Sequence, residues 1–469
     1  MDASLCPGCR ERDAVIAALS DRLSALEAEV RDLRARLGQN ASNSSLPPSA
    51  NPPDAPKPVV KKGTGNRPGG QPGHAPCTRA RLPAERVQHV VRYVPAACRG
   101  CGHALPQQSG PADPAPTWHQ VAELPVVAAV ITEHQGHART CRACGVVTRQ
   151  PIPADIRAHV IGPRLAAVMA YLGGARHDSK RGVEEVVETV FGVPVGLGTV
   201  AAVEQEVSAA LAPAHAEARA AVRRAPVKHA DETGWKQAGQ PRWLWAAVTR
   251  TAACFVVHAR RGFDGLHALL GETITGVVIS DRWSAYGRLD VYRRQLCWAH
   301  LKRDFQGLVD RGGPGAAVGE ELLRFTEDVF HWWYRVRDGT LSRASLRTYL
   351  DGQRPWLRDL LERGTECGCA KAEALCRSLL EWEPALWAFV RHAGVEPTNN
   401  AAERALRPAV LWRKRSQGSR SDGGLRFVER MLTTVQTLRL QKRPVLGYLV
   451  EAVSAHRQRL PAPRLILAG

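Results

Sequence analysis

Three acidic residues, far apart along the chain, stand in sequence contexts that suit a shared metal site. Asp231 ends a short extended run, Asp281 ends a buried apolar run, and Glu403 lies in the segment 399–404. Transfer at a phosphodiester requires stabilisation of both the attacking and the leaving oxygen, which two divalent ions about 3.5–4 Å apart provide. Carboxylates hold Mg²⁺ or Mn²⁺ because these hard cations prefer oxygen ligands. The three acids therefore predict a metal-dependent phosphoryl-transfer site.

Each acid also has an ordinary alternative role. A single Asp at a strand end usually caps a turn, and Glu403 lies three residues after Asn400, where it would complete a capping box. Glu232 is a weaker candidate ligand than Asp231, because neighbouring residues of a strand point to opposite faces. The order of the surrounding elements is what favours the metal site.

Those elements predict a mixed α/β sheet. Aromatic and β-branched residues over 243–249 and 253–258 indicate two strands of a meander after Asp231. A helix is expected over 262–270, followed by the strand that ends on Asp281, and 292–300 fits a fifth strand. Three antiparallel strands, a helix and an acid-tipped strand form the order of an RNase H-like sheet. The helical spacing of apolar residues then predicts a helical insertion before Glu403.

Six of the twelve cysteines occur in C-x-x-C pairs, which is typical of metal binding. Two of these pairs are followed by Gly, which accepts the positive φ of the turn. Their four thiolates would complete the closed tetrahedral shell of a structural Zn²⁺ ion, with strands expected over 118–133 between the pairs. Two unrelated pairs or a redox dithiol are the alternatives, and Cys6/Cys9 gives a much weaker signal. The predicted zinc ligands are Cys98, Cys101, Cys141 and Cys144.

Cys297-x-x-His300 has the spacing of half a metal site, but the sequence offers no obvious second half. A structural role, or support of the neighbouring active site, is therefore favoured over direct metal binding.

A cluster of basic residues follows Glu403. Beside the catalytic acids such a cluster favours contact with a DNA backbone, and a solvated basic face is the alternative. The candidate DNA-binding residues are Arg404, Arg407, Arg413, Lys414 and Arg415.

The N-terminal arm predicts self-association. Apolar residues from Ile16 to Leu37 alternate at spacings of three and four, which is the seam of a coiled coil, and a single docked amphipathic helix is the alternative. The following Ser, Asn, Pro, Gly and Lys residues indicate a basic flexible linker. Further along, helices around Gly192–Gly198 resemble a helix-turn-helix, or form a purely structural pair.

The net charge of +19 indicates a polyanionic partner, with nucleic acid favoured over a membrane surface. We find no signal peptide and no apolar run long enough to span a bilayer, so a cytoplasmic, nucleoid-associated protein is expected. The predicted segments are 1–39 (coiled-coil helix), 40–90 (basic flexible linker), 91–153 (zinc-ribbon-like module), 154–224 (helical, candidate helix-turn-helix), 225–310 with 397–445 (RNase H-like core), 311–396 (helical insertion) and 446–469 (C-terminal tail).

Several of these segments together resemble the DDE transposases of the insertion-sequence-66 family. The N-terminal region resembles the family in its Asn-Ser-Ser-Leu-Pro-Pro-Ser and Gly-Gly-Gln-Pro-Gly-His stretches, and the similarity covers nearly the whole chain. The core carries it in His229-Ala-Asp231-Glu-Thr-Gly-Trp235, Trp243-Leu-Trp245, Ser280-Asp281-Arg-Trp-Ser-Ala-Tyr286, Gln295-Leu-Cys297-Trp-Ala-His300-Leu-Lys-Arg303-Asp-Phe305 and Asn399-Asn400-x-x-Glu403-Arg404-x-x-Arg407-Pro408.

The resemblance implies cleavage and strand transfer of DNA at the ends of a mobile element, with Asp231, Asp281 and Glu403 as the acid triad. It also implies DNA ends and target DNA as partners, together with accessory proteins of the same element. A catalytically inactive, zinc-containing DNA-binding protein derived from a transposase is the alternative.

Overall fold

The computed structural model describes residues 15–27, 29–30 and 79–467. The chain forms two compact units, one of Pro58–Ala129 and one of Met1–Lys57 with Val130–Gly469. The predicted zinc-ribbon-like module, 91–153, therefore spans the division between the units. Most of the predicted linker, and the part of the coiled-coil seam beyond Val30, lie outside the described residues.

The smaller unit is largely irregular in its described part. It contains a short 3₁₀ turn, Ala84–Arg86, and a turn around Cys98 closed by the bridge Ala97↔Ala104. The strands expected over 118–133 are a wrong prediction, because no residue of that segment pairs with a neighbouring strand among the described residues. β-Branched residues favour a strand only where a neighbouring strand is present to pair with it.

The larger unit is built on a five-stranded mixed sheet in the order β5-β4-β3-β6-β7. Strands β3, β4 and β5 are antiparallel neighbours, whereas β3, β6 and β7 run parallel. A separate two-stranded hairpin, β1–β2, flanks the second C-x-x-C pair. The strands are β1 Ala138–Thr140, β2 Val147–Arg149, β3 Val227–Gln237, β4 Gln240–Val248, β5 Ala253–His258, β6 Val277–Ser280 and β7 Arg294–Leu296.

The strand that carries Asp231 is longer than the sequence indicates. Pairing with β6 ends at His229, but β3 continues to Gln237 in a hairpin with β4. The two-residue turn of this hairpin, Ala238-Gly239, has positive φ at both positions (47° and 82°), the geometry that matches the twist of a tight hairpin. Asp231 therefore lies where β3 runs past the end of β6, rather than at the end of its own strand.

Helices cover both faces of the sheet and form the insertion. One core joins the sheet to α3–α6 and α14–α16, and a second core joins strands β6 and β7 and helix α8 to the insertion α9–α13. The helices are α1 (15–27 and 29–30), α2 Ala154–Arg157, α3 Pro163–Ala170, α4 Lys180–Phe191, α5 Leu197–Ala210, α6 Ala212–Arg224, α7 Phe263–Leu270, α8 Trp298–Arg311, α9 Pro314–Arg337, α10 Arg343–Gly364, α11 Ala370–Glu381, α12 Glu383–Leu386, α13 Ala388–Arg391, α14 Asn400–Ser416, α15 Asp422–Leu440 and α16 Val445–Arg457.

The two ends of the chain differ in how they bury apolar residues. Segment 446–469, expected as a tail, contains most of α16, whose Tyr448, Leu449 and Val453 are buried in the core. In α1 the seam residues from Ile16 to Val30 are exposed, so the coiled coil stays a prediction. Among the described residues, none of the helices is long and apolar enough to cross a bilayer.

Helix α15 completes the hydrogen bonding of the edge strand β5. An edge strand leaves a row of N–H groups without ladder partners. Three side chains spaced four residues apart on α15 accept these bonds. The pairs are Ala253 N with Thr437 Oγ1 (3.0 Å), Phe255 N with Thr433 Oγ1 (3.0 Å) and Val257 N with Glu429 Oε1 (2.7 Å).

Replacement of Thr433 by Val is expected to lower the free energy of unfolding by about 1–3 kcal/mol, because the buried Phe255 N–H loses its acceptor. Chemical denaturation measures this change. Thr433→Ser, which keeps the hydroxyl, is the matched control. Equal midpoints for the Val and Ser variants would contradict the assigned hydrogen bond.

Candidate active site

The register of the parallel strands brings two of the predicted acids together. His229 of β3 pairs with Ile279 of β6 in the last pair of this ladder, and Asp231 and Asp281 each lie two residues further along their chains. Asp281 follows β6 directly, and Glu403 lies in the first turn of α14. The pKa of Asp231 is raised well above its ordinary value, chiefly by burial and then by the charges of Glu232, Asp281 and Glu403. The structure therefore brings all three predicted acids into one electrostatic neighbourhood.

This donor set fits a hard divalent cation. The negative charges of Asp281 and Glu403 both act on Asp231, and Glu403 Oε1 is a buried oxygen without a hydrogen-bond partner among the described residues. Two positive charges at this point would relieve the repulsion and fill the unused oxygen positions.

The loop around Asp281 is held by several hydrogen bonds. The Asp281 carboxylate accepts a bond from Trp283 N (2.9 Å), while its backbone carbonyl accepts bonds from Arg294 Nη2 (2.8 Å) and Ser280 Oγ (3.0 Å). Arg294 is almost fully buried. Its long side chain therefore fixes the backbone that presents the second acid, a role that the sequence pattern did not indicate.

Asn399 connects the Glu403 helix to the sheet. Its backbone N–H donates to Cys297 Sγ (3.2 Å), and its side-chain Nδ2 donates to the carbonyl of Ala230 (2.8 Å), next to Asp231. Asn399 is fully buried. The helix begins at Asn400, and its N-cap residue, Asn399, makes no side-chain cap bond. The capping-box alternative for Glu403 is therefore not what the structure shows.

Cys297 and His300 reach the same site. Cys297 is the N-cap of α8, and it follows Leu296, which pairs with Ser280 next to Asp281. His300 Nδ1 lies 3.6 Å from Glu403 Oε1. Burial lowers the pKa of His300, with the nearby charge of Arg303 acting in the same direction, and burial raises the pKa of Cys297 to about 11. His300 and Cys297 therefore both lie in the electrostatic environment of Glu403.

Glu232 points away from the acid cluster, as strand alternation predicts. It accepts hydrogen bonds from Tyr286 Oη (2.7 Å) and Arg261 Nε (2.9 Å). The Arg261 guanidinium lies over the rings of Trp243 and Trp283, at 4.7 and 3.8 Å from their centroids. This network ties β3 to the loop that follows Asp281.

The predicted DNA-binding residues of α14 fall into two groups. Arg404, Arg407 and Lys414 are exposed and form no hydrogen bond or ion pair with any described residue. Arg413 is half-buried and donates to Thr233 Oγ1 (3.2 Å) and the carbonyl of Gly234 in β3. Arg415 donates to the carbonyl of Arg176 (3.3 Å). Arg413 therefore secures α14 to the sheet, and three cations remain free on its outer side.

The two C-x-x-C-G turns have the same geometry. In each, the first Cys donates its N–H five residues ahead (2.8 Å) and accepts at its carbonyl from the Gly (2.9 Å), whose φ is +75°. Backbone N–H groups within the turn lower the pKa of Cys98, chiefly that of Cys101, and lower the pKa of Cys141 in the same way through Cys144. Each turn thus favours a thiolate, the form that binds a metal. Since the turns belong to different units, a shared zinc ion stays a prediction.

The candidate helix-turn-helix contains α4 and α5, separated by a turn in which Gly192 has a φ of 67°. Helix α5, which would enter a DNA groove, carries no Lys or Arg and buries Val200, Val203 and Val207 in the core. Groove recognition depends on polar and basic side chains. The composition of α5 therefore favours the structural alternative for this helical pair.

The comparisons with known proteins agree with this core. Residues 159–426, more than half of the chain, match the model described as "Transposase IS66 family". The chain belongs to the IS66 transposase family. Residues 6–80 match a second model, described as "Family of unknown function (DUF6444)".

Two relatives come from Sinorhizobium fredii (strain NBRC 101917 / NGR234). "Uncharacterized protein y4qI" is 27% identical over 253 residues, which cover 48% of this chain and 45% of that protein. "Uncharacterized protein y4hP" is 24% identical over 409 residues, which cover 78% of this chain and 72% of that protein. The chain thus spans under half of y4qI, and neither printed name states an activity.

Proposed function

We propose that this protein is a metal-dependent DNA transposase that cuts the ends of a mobile element and joins them to target DNA. The observation that supports the proposal is the parallel pairing of β3 with β6, because an acid, Asp231 or Asp281, follows two residues beyond the last pair on each strand. The Asn399 bonds then hold α14, and with it Glu403, against β3. The strand order, with three antiparallel strands followed by two parallel ones, supports an RNase H-like core.

The three acids act as the ligands of Mg²⁺ or Mn²⁺, which supplies charge stabilisation for the attacking and leaving oxygens when bound. Asp231 and Asp281 present oxygens from adjacent strand positions, and Glu403 presents its oxygens from the neighbouring helix. Water attacks the phosphorus, the P–O3′ bond breaks, and a 3′-OH and a 5′-phosphate result. The freed 3′-OH then attacks a target phosphodiester in the same site; the P–O3′ bond of the target breaks, the element end is joined to the target 5′-phosphate, and a target 3′-OH is released.

Two basic surfaces supply a path for the DNA backbone. The free cations Arg404, Arg407 and Lys414 extend along α14 from the position next to Glu403. Arg303 and Lys371 line a separate cavity of about 390 Å³ together with Arg282, the neighbour of Asp281. Phosphate contacts of this kind position a duplex without selecting its sequence.

The remaining segments have supporting roles in the proposal. The C-x-x-C-G turns bind structural Zn²⁺, α1 pairs protomers, and accessory proteins of the same element assist cleavage. An oligomer would bring two DNA ends together.

Cleavage of duplexes that carry the element's own ends, with Mg²⁺ or Mn²⁺ present, tests the proposal. We expect cuts that leave a 3′-OH and that stop when EDTA removes the metal. Binding of these ends without any cut, with accessory proteins added, would instead support the inactive DNA-binding alternative.

The double variant Arg404→Gln/Arg407→Gln is expected to weaken DNA binding at every sequence. It should also reduce the slope of log affinity against log salt by roughly 2, since each phosphate contact contributes about 0.9. Arg347→Gln/Arg358→Gln, which removes two exposed cations from α10, is the matched control. An equal loss in both double variants would show a non-specific charge effect and remove α14 from the DNA path.

A further inference from the structure

Three different metal-binding side chains meet beside the acid cluster. Donor atoms of Cys297, His300 and Glu403 all lie within 4.8 Å of one another. His300 Nδ1 and Glu403 Oε1 face each other at 3.6 Å, and both atoms are buried without a hydrogen-bond partner among the described residues. Glu403, which lies 103 positions after His300, supplies the further ligand that the Cys297-x-x-His300 spacing lacked in the sequence.

The local structure prepares this group for a cation. Cys297 and His300 are three residues apart at the start of α8, which puts both on one side of the helix. Cys297 Sγ accepts the N–H of Asn399 at 3.2 Å and lies at the positive end of α8. These contacts partly offset the burial that favours the thiol of Cys297, and a bound cation would favour the thiolate further. The remaining coordination partner, Glu403, comes from the first turn of α14.

We propose that Cys297, His300 and Glu403 form a second metal site, which binds a borderline transition ion of the Zn²⁺ class. One thiolate, one imidazole and one carboxylate match the ligands of Zn²⁺, whereas Mg²⁺ prefers oxygen alone. In a tetrahedral zinc site, neighbouring nitrogen and oxygen ligands lie roughly 3.3 Å apart, close to the separation between His300 and Glu403. Three protein ligands leave a fourth position open to water. Binding displaces the thiol proton of Cys297 to solvent.

The site shares Glu403 with the proposed catalytic centre, and this consequence rests on the proposed function. A carboxylate bound to Zn²⁺ with Cys297 and His300 is withdrawn from the hard cation held by Asp231 and Asp281. Zn²⁺ therefore acts as an inhibitor of Mg²⁺-dependent cleavage, because it occupies the carboxylate of Glu403.

Metal content measured on the full-length protein tests the site directly. The protein is saturated with Zn²⁺, freed of weakly bound metal, and analysed for zinc per chain. We expect Cys297→Ser and His300→Gln each to lose one equivalent relative to the unaltered protein, while the C-x-x-C pairs keep theirs. Cys376→Ser is the matched control, since Cys376 is an equally buried thiol outside the cluster.

Identical zinc content in all four proteins would overturn the proposal. Circular dichroism and thermal unfolding determine whether each variant is folded. If Cys297→Ser does not fold, the zinc content of His300→Gln tests the site. A loss of zinc that also occurs in Cys376→Ser would likewise overturn it.

A cleavage assay tests the regulatory consequence separately. Micromolar Zn²⁺ is expected to reduce Mg²⁺-dependent cleavage by the unaltered protein at least tenfold, whereas Cys297→Ser keeps most of its own zinc-free rate. Equal inhibition of both proteins would overturn the shared role of Glu403. If no protein cleaves under any condition, the proposed function fails, and the zinc content still decides whether the site exists.

Discussion

Replacement of Asp231 by Asn is expected to abolish DNA cleavage while leaving the protein folded and able to bind DNA. Loss of one carboxylate ligand removes several kcal/mol of charge stabilisation from the transition state, and each 1.36 kcal/mol corresponds to a tenfold change in rate. The cleavage rate should therefore fall by roughly three orders of magnitude or more. Single-turnover cleavage of a labelled duplex measures the rate, and a gel-shift assay measures binding.

The same substitution is expected to stabilise the protein when metal is absent. The pKa of Asp231 is raised in the folded state, so the protonated carboxyl stabilises the fold fully when the pH is below 3.8, the ordinary pKa of Asp in the unfolded chain. This stabilisation is lost as the pH rises through the pKa of the folded state. At neutral pH the ionised carboxylate therefore destabilises the metal-free fold. Asn carries no charge and removes that penalty.

Thermal unfolding distinguishes this account from simple damage to the fold. In the absence of divalent metal, Asp231→Asn should have a higher melting temperature than the unaltered protein. Added Mg²⁺ should raise the melting temperature of the unaltered protein by more than it raises that of Asp231→Asn. Glu381→Gln is the control, since Glu381 is an exposed carboxylate at the end of α11. If Asp231→Asn still cleaved DNA at the normal rate, the acid cluster would not be the catalytic centre.

The parts of this site that the sequence predicted depend on local patterns. Asp281 follows an uninterrupted apolar strand, and the strand–helix–strand order around it is visible in the spacing of apolar residues. Parallel neighbouring strands then end at one edge of the sheet, so the placement of Asp231 and Asp281 at that edge follows from the order of the elements. The order of strands and helices can be predicted from local sequence without knowing which distant residues are in contact.

The unpredicted parts depend on contacts between distant segments. Nothing around Arg413 distinguishes it from Arg404 or Arg407, yet its helical position turns it towards β3 and its donors satisfy backbone oxygens there. Thr433 is a neutral helix residue by sequence, and only the packing of α15 on an edge strand makes it an acceptor. Hydrophobic pattern determines which face is buried, but not which polar partner lies opposite.

Asn399 is the clearest example, and its replacement by Ala gives the second large expected effect. The substitution removes the bond to the Ala230 carbonyl and leaves that buried oxygen without this donor, which costs about 1–3 kcal/mol of stability. It also frees the start of α14 from β3, so Glu403 is no longer held in position beside Asp231. Misplacement of a reacting group by about 1 Å lowers rates by roughly a hundredfold, which is the loss of cleavage we expect.

Asn400→Ala provides a matched control in the adjacent position. Asn400 is exposed, whereas Asn399 is fully buried, although the two residues are indistinguishable by type. Cleavage rates at saturating Mg²⁺ and denaturation midpoints should therefore change strongly for Asn399→Ala and little for Asn400→Ala. Equal losses in both variants would mean that the pair contacts DNA or caps the helix together. In that case the connection from Ala230 through Asn399 to Glu403 would not be what positions the third acid.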